Sequence, residues 1–203
     1  MTPTKELSEA EKQWLADGAE ATLRLEYPLT PESVVFDVGG HLGKFTADLL
    51  AKGQNPYVHI FEPVAAFAAE CRRRFAGNPK VTVHEYGLYR ATRVANIFVD
   101  GECSSLYVGL TRTEEIELRD VAEIMRDFPE VALLSVNIEG AEYAFLQRII
   151  DAGLGARFRD IQVQFHEFYF RARQVREMLR KQLRLTHTER YCYPFVWESW
   201  RRT

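Results

Sequence analysis

The feature that most constrains the fold is a glycine-rich turn between a short strand and a helix. The run DVGGHLG occupies residues 37–43. It begins inside a largely apolar and β-branched strand pattern over residues 33–38 and leads into a helical pattern over residues 44–51. Glycines at such a junction let the backbone turn tightly and approach a ligand closely, while the first helical turn offers unpaired N–H groups. The turn therefore predicts an α/β fold with a ligand site at the end of its first strand.

The residue types in this turn restrict the kind of ligand. The dinucleotide pattern G-x-G-x-x-G is not met, because His41 stands where its second glycine belongs. An acid, Asp37, precedes Gly39, Gly40 and Gly43, and an acid beside the turn suits a cationic amino group better than a pyrophosphate. These four residues are candidate ligand contacts.

Short apolar strands alternate with helices along most of the chain, which predicts a mainly parallel sheet covered on both faces. Strands are expected at residues 33–38, 57–61, 81–86, 132–138 and 160–165, and helices at 44–51, 64–75, 141–152 and 171–183. The middle is less regular, with a strand at 94–99, its hairpin partner at 103–108 and a helix at 121–127. Residues 185–200 have the aromatic, β-rich pattern of a closing hairpin.

The 203 residues suffice for one sizeable core, so a single domain over residues 1–203 is expected, with its catalytic core at 33–200. Residues 1–30 are predicted to form a helical extension. Ser8 and Glu11 have the spacing of a capping box, and the helix is expected to continue to the first proline, at position 28. This segment is predicted either to pack on the edge of the main fold or to cover its ligand site.

A second group of candidate ligand contacts follows the next two predicted strands. Glu62 ends the second strand, roughly twenty residues after the glycines, where an acid can accept both hydroxyls of a ribose. Pro63 ends that strand and starts the next helix. Gly87 and Leu88 follow the third strand, where an adenine ring could lie against apolar side chains and backbone. Ligands in open α/β sheets bind at the carboxyl ends of the strands, so these residues should converge with Asp37.

Acidic and imidazole groups follow the later strands and are candidates for catalysis. Glu139 comes directly after the strand at 132–138, and His166 directly after the strand at 160–165. A histidine titrates near neutral pH and can take the proton of a hydroxyl group. Glu142 stands at a helix start, where complementing the helix dipole explains it equally well. His166 and Glu139 are therefore the predicted catalytic residues.

Together these segments resemble the FkbM family of S-adenosylmethionine-dependent methyltransferases. The resemblance covers residues 34–168 and rests on FDVGGHLG at 36–43, FEP at 61–63, SSL at 104–106 and above all IEGAE at 138–142. It implies a Rossmann-like class I methyltransferase fold, with a mostly parallel seven-stranded sheet, a reversed last strand and helices on both faces. It also implies S-adenosyl-L-methionine as the cofactor and, as the usual activity, O-methylation of sugars or secondary metabolites.

The chain departs from the family pattern at three positions. The family commonly has Lys and Asp where Ser135 and Asn137 stand, and often Glu where Gln164 stands. Asn137 stays a candidate catalytic residue, but its amide is neutral and cannot act as a base. His166 and Glu139 are therefore the candidate bases. The three neutral residues also keep open a non-catalytic module that binds a cofactor or a partner.

Charge and composition narrow the partners. The net charge of −3 does not favour a grip on a phosphate backbone, so a small-molecule or glycan acceptor is expected rather than nucleic acid. No apolar run approaches the ~20 residues of a membrane span, and the polar start indicates a cytoplasmic protein. The three cysteines are too widely spaced for a metal site or a disulfide framework, so no metal is predicted. An RNA methyltransferase and a nicotinamide-dependent oxidoreductase remain as alternatives.

Overall fold

The computed structural model describes residues 6–100, 103–106 and 113–203, which form two sheets and the helices around them. The helices are α1 (Glu9–Ala16), α2 (Lys44–Leu50), α3 (Ala65–Phe75), α4 (Val121–Ile124), α5 (Glu142–Asp151) and α6 (Ala172–Leu183). The strands are β1 (Val34–Val38), β2 (Tyr57–Phe61), β3 (Val81–His84), β4 (Gly87–Tyr89), β5 (Arg93–Asp100), β6 (Cys103–Ser105), β7 (Thr113–Asp120), β8 (Val131–Val136), β9 (Phe158–Val163), β10 (His187–Tyr193) and β11 (Trp197–Arg202).

The main sheet has seven strands in the order β10-β11-β9-β8-β1-β2-β3. The five strands from β9 to β3 are parallel, whereas β11, the last strand of the chain, runs antiparallel to both of its neighbours. This topology confirms the predicted class I methyltransferase fold with a reversed last strand. The predicted strands lie within about two residues of the observed ones, and the closing hairpin is formed by β10 and β11.

Alternate residues of the central strands pack on opposite faces of the main sheet. Phe36 and Leu134 belong to one buried cluster with α5 and α6, and Val35 and Leu133 belong to another with α2. All six residues of β8 are buried. Each fully buried side chain of this size stabilises the fold by ~1.5–3 kcal/mol, so the two faces together fix the register of the strands.

A second, four-stranded sheet lies at the carboxyl edge of the main sheet, in the order β4-β7-β5-β6. β5 and β6 form the predicted hairpin, of which residues 107 and 108 lie outside the described part. The third strand of the main sheet ends at His84 rather than at Tyr86, because the chain leaves it to join the small sheet through β4. β7 pairs with both β4 and β5 and was not predicted.

The N-terminal segment packs on the edge of the main sheet. Ser8 caps α1, and its capping box with Glu11 is present as predicted. The prediction of a longer helix is wrong, because α1 ends at Ala16 and Gly18 adopts a φ of 58° that breaks the helical path. Trp14 then packs against Tyr191 of the edge strand β10, so the segment covers the edge rather than the ligand site. No helix in the described ranges is long and apolar enough to cross a bilayer.

Candidate active site

A cleft of about 770 Å³ lies between the carboxyl ends of the central strands and the small sheet. Seven of the eleven predicted site residues line it: Gly39, Glu62, Pro63, Gly87, Leu88, Asn137 and Glu139. The other four, Asp37, Gly40, Gly43 and His166, are not among the lining residues.

The backbone of the glycine turn approaches the end of β8 very closely. Gly39 has a φ of 85°, and a Cβ at this position would lie 1.9 Å from the carbonyl oxygen of Asn137. Only glycine fits there without displacing the backbone of the neighbouring strand. Gly40 is limited by packing against the side chain of Ile60, and Gly43 both by packing against Phe75 and by its own φ of 74°. The turn therefore brings its backbone to the cleft at Gly39, whose N–H donates to the carbonyl oxygen of Phe61 at 3.0 Å.

Asp37 is buried behind the glycine turn and binds a group of the protein. Its carboxylate accepts a hydrogen bond of 2.7 Å from the hydroxyl of Thr46 on α2. Burial raises the pKa of Asp37 to about 6, against the lowering effect of that hydrogen bond. Asp37 thus ties β1 to α2, and its contact with the amino group of a ligand stays a prediction.

Glu62 presents a carboxylate to the cleft from the end of β2. One oxygen accepts the N–H of His41 at 2.8 Å, and the other accepts the N–H of Val64 at 2.9 Å. Each carboxylate oxygen can accept a second hydrogen bond, so both oxygens keep an acceptor site for a ligand. Burial raises the pKa of Glu62 to about 7, although the two backbone N–H groups lower it.

His41 lines the cleft beside Glu62, and the sequence assigned it no role. It has a φ of 47°, and its ring packs edge-on against Phe67 with the centroids 4.4 Å apart. Its carbonyl oxygen accepts a hydrogen bond of 3.0 Å from the thiol of Cys71. Its place in the glycine turn was the signal that could have pointed to this position.

The small sheet supplies an apolar roof to the cleft, defined here as Tyr89, Ile97, Leu106, Ile116 and Leu118. Four of these side chains are less than 7% exposed and cluster with one another. The sequence did not predict any of these five as site residues. Leu106 entered only as part of the SSL segment on which the family resemblance rests. The alternation of two apolar residues with charged ones in β7 was the available signal for this strand.

Three titratable side chains meet at the end of the cleft that lies next to the carboxyl ends of β8 and β9. His166 Nε2 lies 3.4 Å from Glu139 Oε1, and His166 Nδ1 lies 3.0 Å from Glu142 Oε1. Glu142 is fully buried, and the same oxygen also accepts the backbone N–H of His166 at 2.8 Å. Glu139 is the member of this group that lines the cleft. We call these three residues the polar end of the cleft.

The two carboxylates control the protonation of His166. Burial alone would lower the pKa of His166, but hydrogen bonds to Glu139 and Glu142 raise it to about 9. The imidazole therefore carries its proton at neutral pH. Glu142, which the sequence left open between two explanations, is the residue that orients the histidine ring.

Asn137 adds an amide to the cleft between the glycine turn and Glu139. Its side-chain oxygen is buried and accepts no hydrogen bond from the residues that the structure describes. Ser135, one of the three neutral departures, lies deeper in the sheet and is bonded to the amide of Gln162 at 3.0 Å. Among the described residues, no group of three or more His, Cys, Asp or Glu could hold a metal ion.

Comparisons with known proteins identify the family and the fold of the chain. The methyltransferase FkbM domain matches residues 37–188, which include all the predicted site residues. No curated protein matches the chain. The fold is similar to that of the methyltransferase FkbM from Methylobacillus flagellatus KT, with a TM-score of 0.59, 15% identity and coverage of 86% of this chain and 44% of that one. The chain thus spans less than half of that protein's length.

Two further solved structures share the fold at low identity. One is a putative rRNA methylase from Clostridium thermocellum, with a TM-score of 0.52, 11% identity and coverage of 98% of this chain and 100% of that one. The other is the fibrillarin pre-rRNA processing protein of Methanococcus jannaschii, with a TM-score of 0.53, 8% identity and coverage of 92% and 74%. At these identities the likeness extends to the fold alone.

Proposed function

The chain belongs to the FkbM methyltransferase family, and from that premise we propose that it transfers a methyl group from S-adenosyl-L-methionine to a hydroxyl of a small acceptor, most simply a sugar or glycan. The observation that carries this proposal is the placement of Glu62 and the polar end around one cleft, two strands apart in the main sheet. The carboxylate of Glu62 suits the ribose of a nucleoside, and the polar end suits a hydroxyl group that has to lose its proton.

The residues of the cleft fit the cofactor. Gly39 lets the backbone come close to a ligand, and the carboxylate of Glu62 keeps acceptor sites for two ribose hydroxyls. Gly87 and Leu88 offer a backbone and an apolar side chain to the base, under the apolar roof. S-adenosylmethionine, when bound, would supply a methyl group on a sulfonium whose sulfur leaves as a neutral thioether, so the methyl group needs no further activation.

The polar end then has to position the acceptor and accept its proton. Because His166 is already protonated at neutral pH, the carboxylate of Glu139 is the basic group of the polar end that faces the cleft, and His166 stabilises its negative charge. As a proton from the acceptor hydroxyl arrives at Glu139, His166 keeps its own proton through its bond to Glu142. Asn137, whose buried side-chain oxygen accepts no hydrogen bond within the described part of the chain, offers that oxygen to a donor group of the acceptor or the cofactor.

The first experiment is calorimetric titration with S-adenosylhomocysteine, with NAD as the negative control. Glu62→Ala removes both ribose acceptors and is expected to weaken binding about tenfold or more, as loss of hydrogen bonds to a charged group typically does. Leu15→Ala is the matched control, because Leu15 is exposed on α1, far from the cleft. A folded protein that binds no S-adenosylhomocysteine would contradict the proposal and favour the non-catalytic module.

The acceptor is found by incubating the protein with methyl-labelled S-adenosylmethionine and separate pools of sugars, phenolic compounds and RNA. Label transfer to sugars that disappears in Glu139→Gln supports the proposal. Label transfer to RNA alone would replace the acceptor class while leaving the methyltransferase activity in place. The net charge of −3 is the observation that favours the small acceptor over RNA.

A further inference from the structure

A hydrogen bond connects the small sheet to the turn that carries Glu139. Ser105 on β6 is 5% exposed, and its hydroxyl donates to the backbone carbonyl oxygen of Glu139 at 2.9 Å. Ser105 does not line the cleft itself, whereas its neighbour Leu106 does. The proposed chemistry gives Ser105 no part, although it belongs to one of the segments on which the family resemblance rests.

The turn that receives this bond has an unusual backbone. Glu139 and Gly140 have φ values of 48° and 97°, and the N–H of Ala141 donates to the carbonyl oxygen of Ile138 at 3.1 Å. Two successive residues with positive φ are typical of a type I′ turn, whose central positions favour glycine, asparagine and aspartate. A glutamate adopts this conformation only where its surroundings hold it.

Both polar atoms of the peptide group between Glu139 and Gly140 are held by side chains. Its carbonyl oxygen accepts from Ser105, and its N–H donates to Glu142 Oε2 at 2.8 Å. One contact comes from the helix that follows the turn, and the other comes from a different sheet. With both atoms bonded, this peptide plane cannot rotate without breaking a buried hydrogen bond, and its orientation determines where the Glu139 side chain points.

We propose that Ser105 is a positioning residue, which fixes this peptide plane so that the carboxylate of Glu139 faces both the cleft and His166. The inference rests on the proposed function, since Glu139 and His166 are the groups that the proposed reaction uses. It extends that function by making the small sheet part of the catalytic apparatus: the sheet that covers the cofactor also orients the base.

The test is an NMR titration of the His166 imidazole in the whole protein, with its signal assigned by His166→Gln. If Ser105 orients Glu139, then Ser105→Ala moves one carboxylate away from the imidazole, and the proton affinity of His166 falls by about tenfold, or one pKa unit. Ser105→Thr keeps the hydroxyl and is expected to restore the wild-type titration. Glu139→Gln gives the limit for complete loss of that carboxylate.

Ser199→Ala is the matched control. Ser199 is buried like Ser105, but it is hydrogen-bonded to Tyr27 at 3.0 Å in a separate network. It is expected to lose similar stability with no change in His166. An unchanged His166 titration in folded Ser105→Ala, or an equal shift in Ser199→Ala, would overturn the positioning role. If Ser105→Ala does not fold, Ser105→Cys, with its weaker donor, gives the same comparison.

The two proposals fail separately. The His166 titration needs neither cofactor nor acceptor, whereas the proposed function is tested by binding of S-adenosylhomocysteine to the wild type. If the pKa of His166 falls as expected in Ser105→Ala but the wild type binds no S-adenosylhomocysteine, the proposed function is refuted and the positioning role is kept. Cofactor binding and turnover that survive unchanged in Ser105→Ala, with an unshifted His166, would do the reverse.

Discussion

The two sides of the cleft are held together by different physical interactions. At the polar end, Glu139, His166 and Glu142 depend on two contacts of 3.0–3.4 Å between charged groups and on a hydrogen bond of 2.8 Å from the backbone N–H of His166. The roof depends on contact area between apolar side chains such as Ile116 and Leu118. Removing one member of the polar end leaves a buried charge without its partner, whereas a truncated roof can partly collapse. The polar end should therefore be the more fragile of the two.

The largest effect is expected from Glu142→Ala. This change removes the buried acceptor of the Gly140 N–H and two partly buried contacts to His166. Loss of one partner of a buried charged pair destabilises a protein by ~3–5 kcal/mol. Urea unfolding should show a loss of this size, and the pKa of His166 should fall. If Glu142→Ala costs less than a truncation in the roof, the ranking of the two sides is wrong.

Leu118→Ala should have the next largest effect and confine it to the roof. Leu118 is 4% exposed and lies against Gly87, where a Cβ would approach its Cδ2 to 2.8 Å. Truncation of a buried leucine costs ~2–5 kcal/mol, and the lower half of that range is expected because one side borders the cleft. Thermal unfolding measures the loss, and Leu118→Met, with a conserved volume, should recover most of it. A shifted His166 titration in Leu118→Ala would show that the two sides are coupled.

The pH dependence of cofactor binding tests the carboxylate that lies under the roof. The pKa of Glu62 is raised to about 7, and only its ionised form accepts hydrogen bonds at both oxygens. Affinity for S-adenosylhomocysteine should therefore be constant above about pH 8 and fall as the pH drops through 7, to roughly a tenth at pH 6. Calorimetry from pH 5.5 to 8.5 measures the curve. Glu62→Gln should bind weakly with a flat profile, and an equally steep profile in that variant would assign the titration to another group.

The smallest effect is expected from a pair of histidines outside the cleft. The pKa of His84 in this pair is lowered, whereas that of His166 is raised. His59 Nδ1 lies 3.0 Å from His84 Nε2, and burial lowers the pKa of His84 to about 4. The folded protein thus disfavours the protonated form, so stability is full above the unfolded pKa near 6.5 and is lost as the pH falls towards 4. Urea unfolding at pH 7 and pH 5 should differ by about 1 kcal/mol once solvent screening is allowed for. His84→Phe should reduce that difference, and no reduction would assign it elsewhere.

Most of the main sheet could be predicted because its signals are local. Strand length, β-branched residues and the breaks at Gly39 and Pro63 are all visible within a few positions, and the carboxyl ends of parallel strands must meet at one edge. That rule alone placed Glu62, Asn137 and Glu139 around one cleft. The extent of α1 was overestimated because a single residue, Gly18, ended it through its backbone conformation.

The small sheet could not be predicted in the same way, because its pairing is not local. β7 pairs in parallel with β4, so Gly87 faces Leu118 across a long stretch of intervening chain. Nothing in the run of residues 113–120 shows which strand it will pair with. The roof therefore became visible only when both strands were in place.

By itself, the sequence determined the order of strands and helices of the main sheet, the edge at which the site forms and the chemical types of many of its residues, because these follow from local periodicity and from the direction of parallel strands. Only the tertiary structure decided which atoms meet. In the folded protein, Asp37 accepts a hydrogen bond from Thr46, His166 lies between two carboxylates, and Ser105 is hydrogen-bonded to the turn of Glu139. Such contacts depend on distances of about 3 Å between segments far apart in the chain, and a linear pattern carries no information at that precision.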